Sequence, residues 1–190
     1  MACALVNCAK RGSPTGGPQD SIPPSFVKAV PPNYTTSFDK EEIRIYFDEY
    51  IKLKDYQKQL IISPPLKNSI ISPQGSASKY ISITITDTLA PNTTYVFNFG
   101  QSIQDNNEGN PFSSFKYVMS TGEYIDSLTV KGSIIDELED KPDNFVSVML
   151  YAVDSTLNDS IVFKEPPRYV TNTLDSLTTF EITNIEEGEY

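Results

Sequence analysis

Ile81-Ser82-Ile83-Thr84-Ile85-Thr86 decides the fold, because three isoleucines alternate strictly with small hydroxyl residues. Strict alternation gives an extended segment one apolar face and one wet face. Isoleucine is stiff at χ1 and fits a pleated, half-buried surface better than a helix. The same period of two recurs in Ile43, Ile45 and Phe47, in Tyr95, Phe97 and Phe99, and in Phe115, Tyr117 and Met119. Turn residues separate these sets: Ser63-Pro64-Pro65, Ser72-Pro73-Gln74-Gly75, Ala90-Pro91-Asn92, and Asp105 through Asn110-Pro111. Short strands at regular spacing imply an all-β chain built as an antiparallel β-sandwich. The one helical candidate, Leu53 to Leu60, is too brief to change that class.

The pattern restarts after Gly122. Leu128, Val130 and Ile134 open a second set, Val146, Val148 and Leu150 alternate in its middle, and Phe180, Ile182 and Ile185 precede Glu187-Gly188-Glu189-Tyr190. A length of 190 residues with 38% hydrophobic and 11% aromatic content supplies two small cores. Upstream, Lys10 to Pro32 reads as a leash, since Gly12, Pro14, Gly16, Gly17, Pro18, Pro23 and Pro24 disfavour both helix and central strand.

Composition excludes several functions. A formal charge of -10 argues against nucleic acid, whose phosphates need clustered Lys and Arg. Histidine and tryptophan are absent, and the two cysteines, Cys3 and Cys8, both lie in the leader. Without histidine, a nucleophile–base–orienter set has to come from Lys, Ser and carboxylates scattered over loops, so the chain is read as non-catalytic. Asp48 and Glu49 do not qualify as an acid/base pair, because adjacent strand residues point to opposite faces.

Four stretches carry a resemblance. Ile43-Arg44-Ile45-Tyr46-Phe47-Asp48-Glu49-Tyr50-Ile51, Leu89-Ala90-Pro91-Asn92-Thr93-Thr94-Tyr95, Asp105 through Pro111, and Met119-Ser120-Thr121-Gly122 resemble, in order, the motifs of the bacterial Ig-like domain of S-layer and surface proteins. The resemblance covers residues 22–122 and implies a seven-stranded spacer or interaction unit with no catalytic residues. Residues 123–190 are similar to the carboxypeptidase-regulatory-like, prealbumin-type sandwich, whose strands end in a comparable Asn-Ile-x-x-Gly-x-Tyr turn. Ser176-Leu177 departs from that family's Asp/Asn-Gly turn. In that fold the Gly-x-Tyr motif opens a further strand, so this β-sandwich is expected to be incomplete, truncated at the C-terminus with an edge open to pairing.

Leu5-Val6-Asn7-Cys8 resembles a bacterial lipobox. It implies residues 1–7 as a residual signal peptide, Cys8 as the lipidated residue, and 8–21 as a lipid-anchored flexible linker. Met1 to Val6 supplies neither a basic region nor the roughly 7–15 apolar residues of a signal peptide, so the true start is expected upstream. Ala9-Lys10 lacks the aspartate that resembles an inner-membrane retention signal, which favours the outer membrane; the periplasmic or cell-surface face stays open. The whole looks like an Ig-like-domain lipoprotein of the Bacteroidetes type.

Asp followed by Ser or Thr and then an aliphatic residue or Thr occurs six times, with hydroxyls at Ser21, Thr88, Ser127, Ser155, Ser160 and Ser176. The pattern resembles the O-glycosylation sequon of Bacteroidetes envelope proteins; its structural alternative is ordinary turn chemistry. Asp105, Asn107 and Asn110 form the densest oxygen cluster, a weak calcium candidate without the EF-hand order of acids, and a hydrogen-bonded turn is the better reading. No cofactor other than the lipid is expected. Two functions follow: a non-catalytic, lipid-anchored structural or interaction subunit of an outer-membrane protein complex, or a surface carbohydrate-binding or adhesin module using exposed tyrosines.

Overall fold

The organising element is a twelve-residue strand, β2 (Glu42–Leu53), to which three other strands pair. The computed structural model describes residues 16–135, 145–153, 158, 160–173 and 178–190. β1 (Phe26–Val30) lies along one edge of β2 and β5 (Ser78–Ile85) along the other, with β4 (Ser69–Ser72) outside β5. Past the end of β1, β7 (Ile103–Asp105) continues the same edge, pairing Ile51 with Asp105 and Leu53 with Ile103. All pairings are antiparallel.

A second sheet orders β3 (Ile61–Ser63), β6 (Thr94–Asn98) and β8 (Lys116–Ser120). The two sheets form the Ig-like sandwich. Between them lie Ile43, Ile45, Phe47, Ile81, Ile83, Tyr95, Phe97, Phe99, Tyr117 and Met119, the residues that alternate in the sequence. Phe115, partly buried, joins Phe47, Phe99 and Phe112 in a run of tilted and edge-on rings with centroids 5.7–6.4 Å apart. Tyr117 is fully buried, and its hydroxyl donates to the Pro31 carbonyl at 3.1 Å. The free edge of β8 is closed by residues 33–38: Tyr34 N–H donates to the Val118 carbonyl, and Ser120 N–H to Thr35. An edge covered this way is not available for aggregation.

The leash reading needs correction over its last third. Phe26–Val30 is strand β1, although prolines stand on both sides of it. An edge strand hydrogen-bonds on one side only, so flanking prolines stop it without preventing it. The helical candidate reduces to α1, Tyr56–Gln59.

After Gly122 the chain forms β9 (Leu128–Ser133), β10 (Ser147–Leu150), a 3₁₀ turn (Ile161–Phe163), β11 (Tyr169–Asn172) and β12 (Thr179–Ile185). β9 pairs with β12 and β10 with β11. Tyr169, Ile182 and Ile185 make their shared core, with Val148 and Leu150 against it. Leu128 and Val130, expected on the apolar face, are 51% and 42% exposed. They share that face with Ile185 and Ile182, but the facing β10–β11 pair covers β12 and leaves β9 open among the described residues.

The two units expected in series lie against each other. Val96 and Val118 point away from the Ig-like core yet are only 6% and 1% exposed. β11 packs on β3 and β12 on β6, so the outer face of the three-stranded sheet is a second buried layer. Polar bonds fix the seam: Val170 N–H donates to Ser63 Oγ at 3.1 Å, Thr94 Oγ1 to Asp126 Oδ2 at 2.7 Å, and Asn184 Nδ2 to the Asp126 carbonyl at 2.8 Å.

Gly100 turns the chain between β6 and β7 with φ at +54°, and a Cβ there would stand 2.7 Å from Gln59 Oε1 and 3.1 Å from the Gln59 carbonyl. Gly100→Ala is expected to cost about 1–2 kcal/mol in left-handed backbone strain alone. Thermal unfolding checks this, with a fall of roughly 2–8 °C expected for a chain of this size.

Candidate functional site

Asp105 ends β7 and is 3% exposed. Its Oδ1 accepts the backbone N–H of Asn107, Glu108 and Gly109 at 2.8, 2.7 and 3.1 Å, and its Oδ2 accepts that of Asn110 at 2.7 Å. Burial raises the carboxyl pKa, but the four N–H groups outweigh it and hold it below the usual carboxylate range. A cation at this carboxylate would meet four N–H donors. Asn107 Oδ1 is taken by Asn106 Nδ2 at 3.1 Å, and Asn110 Nδ2 donates to the Asp20 carbonyl at 3.0 Å. The weak calcium candidate Asp105, Asn107 and Asn110 is thus arranged as a hydrogen-bonded turn that clasps the chain entering β1. Among the described residues, no group of three or more His, Cys, Asp or Glu side chains is placed to hold a metal.

Asp48 and Glu49 take separate roles. Asp48 Oδ1 accepts the Ser25 N–H at 2.7 Å, fastening β1. The Glu49 carboxyl is pushed up by burial and then by the neighbouring charges of Asp105, Asp48, Asp20 and Glu108.

Cys8, Ser155 and Ser176 lie outside the described residues. Ser21, Thr88, Ser127 and Ser160 are exposed. The aspartates before three of them do turn and seam work: Asp20 Oδ1 accepts the Ile22 N–H, Asp87 Oδ2 accepts the N–H groups of Lys67 and Asn68, and Asp126 binds Thr94. The motif thereby has a folding role at these positions while its hydroxyls stay on the surface.

The tyrosines separate into two classes. Tyr95, Tyr117 and Tyr169 are buried. On the outer face of the five-stranded sheet, Tyr46 and Tyr80 stand 5.6 Å apart, with Lys28 over the first ring and Arg44 over the second; Lys79 lies over Tyr50. Each of these rings already has a cation on one face.

The sequence reading did not find a cleft where the two units meet, of about 420 Å³. The Ig-like unit contributes Asn98, Gly100, Ser114 and Lys116. From the second unit come Lys131, Gly132, Asn172, Phe180 and Glu181. Glu181 is bridged by Lys131 at 2.7 Å and Lys116 at 3.2 Å. The hydrogen bond from Lys131, then that from Lys116, keeps its carboxyl below its usual range despite burial. The available signal was Val96 and Val118, apolar residues between the core-facing positions of β6 and β8, which mark a strand covered on both faces.

A crystal structure of the N-terminal part of the bacterial S-layer protein SbsC is similar at 15% identity and a TM-score of 0.34, over 88% of this chain and 33% of that one. The chain thus spans a third of that relative's length. A comparison with curated proteins finds no match. The family model for the bacterial Ig-like domain matches residues 20–121, the two-sheet sandwich with its Asp105 turn. The chain belongs to the bacterial Ig-like domain family.

Proposed function

We propose that the chain is a non-catalytic envelope protein, anchored by lipid on Cys8, that serves as a structural or interaction subunit of an outer-membrane protein complex. The observation that carries this reading is β9, where Leu128 and Val130 are 51% and 42% exposed on a face that nothing covers among the described residues. An open strand of this kind is a ready surface for a protein partner. The carboxylates of Asp87, Asp105 and Asp126 are spent on backbone and seam hydrogen bonds, which supports a scaffold rather than a reactive site. Ser21, Thr88, Ser127 and Ser160 are the exposed positions for glycan attachment in this reading.

Cys8→Ser is expected to move the protein from the detergent-rich to the aqueous phase on Triton X-114 partition, because two or more acyl chains are what make such anchoring stable. Unchanged partition would remove the anchor from the reading. The partner is tested by a photo-crosslinking residue at Leu128 in the native host. One discrete membrane-protein adduct is expected, and no adduct in intact cells would overturn the interaction role.

A further inference from the structure

We propose that the cleft between the two units binds a carboxylate-bearing saccharide. Lys116 and Lys131 face the single carboxylate of Glu181, leaving one cationic charge in surplus within a chain of net charge -10. Lys131 is the movable partner, its side chain 70% exposed against 25% for Lys116. An exposed ion pair is held weakly, so Lys131 can turn to a ligand carboxylate while Lys116 keeps Glu181 neutralised.

The other lining groups suit a hydroxyl-rich ring. Asn172 makes no side-chain hydrogen bond among the described residues, and Asn98 uses only its Oδ1, for the Gly100 N–H at 3.0 Å. A carboxamide both donates and accepts, which matches sugar hydroxyls that do the same. Phe180 lies over its cross-strand partner Gly132, where a Cβ would come within 2.6 Å of the ring, so the aromatic side chain covers the glycine and forms an apolar strip beside the amides. Sugar C–H faces pack on such a strip. The cavity volume falls within the usual range for small-ligand sites, and junctions between domains are where such sites concentrate. A depression of about 670 Å³ beside Tyr46 suits an anion less well, because its Lys40 and Arg44 are already paired with Asp39 and Glu42, Glu41 adds a further negative charge, and the Tyr46 and Tyr80 rings stack with their own cations.

The inference goes beyond the anchoring and interaction reading and does not depend on it. Its test is a titration of the isotope-labelled protein with digalacturonate, with lactose as the neutral comparison, followed by amide shifts. Saturable shifts at Gly132, Asn172 and Glu181 are expected with digalacturonate, with at least tenfold weaker binding of lactose. Lys131→Ala and Asn172→Ala are each expected to weaken digalacturonate binding about tenfold, with Lys131→Ala also removing most of the salt dependence. Their melting temperatures, measured alongside, report that both variants fold. Absence of saturable shifts at these amides, equal binding of lactose, or unchanged affinity in both folded variants would overturn the proposal.

Discussion

Asp105→Ala is expected to lower the melting temperature by roughly 6–12 °C, the equivalent of about 3 kcal/mol in a chain of this length. The side chain is buried and its two oxygens satisfy four successive backbone N–H groups, from Asn107 to Asn110. Removing it leaves those donors without an acceptor in a turn that also holds Asp20 through Asn110. Water reaches some of them, so the loss stays below the sum of four separate bonds. Asp105→Asn separates charge from shape, because one amide oxygen still accepts while Nδ2 confronts an N–H donor. An intermediate loss is expected.

The pH dependence of Asp105 has a definite sign. Its folded carboxyl pKa lies below the reference value of 3.8, so its contribution is complete above that value and is lost as pH falls through the lowered folded value. Glu49 works in the opposite direction: its folded pKa is raised above 4.5, so it opposes folding at neutral pH and ceases to do so as pH falls through the raised value. The difference in stability between wild type and Asp105→Asn is expected to shrink below pH 3.8, and denaturant titrations at stepped pH measure it. A difference that stays constant into strong acid would assign the Asp105 contribution to shape alone.

The fold was legible in the sequence where one face of a strand is wet. Ile81, Ile83 and Ile85 alternate with Ser82 and Thr84 because β5 has the core on one side and solvent on the other. β6 was harder to read, since Tyr95, Val96 and Phe97 are all buried and a continuous apolar run carries no period. The core-facing set was still found, because aromatic residues occupy it and smaller ones occupy the seam. β1 was hidden by prolines that mark an edge as readily as a linker. The Asp105 turn was visible as a dense cluster of turn residues, but whether its carboxylate serves a cation or the backbone is a matter of where four N–H groups point. The cleft was not legible at all. Asn98, Lys116, Asn172 and Glu181 are distant in sequence and meet only because β12 lies across β6.

That crossing leads to the other large effect. Val96→Asp is expected to undock the second unit, because Val96 is 6% exposed and lines the seam with Val170, Glu181 and Thr183. A carboxylate there loses its water beside Glu181, and the neighbouring Lys116 is already bound to Glu181 at 3.2 Å, so the new charge carries a penalty of about 3–5 kcal/mol, the usual cost of a buried charge without a partner of its own. The second unit has a small core with which to resist, since among the described residues its buried cluster is Tyr169, Ile182 and Ile185. The Ig-like unit keeps its own much larger core, from Ile43 to Met119. Hydrogen exchange on the variant is therefore expected to show lost protection in β11 and β12 with β2 and β5 still slow. Val96→Thr is the control, since it keeps the shape and adds a hydroxyl at a cost of about 1–3 kcal/mol, too little to separate the units. Equal loss of protection in β5 and β12 would mean that the two layers fold as one cooperative body. Exchange of β12 in the unaltered chain would then be set by the whole molecule and not by the seam.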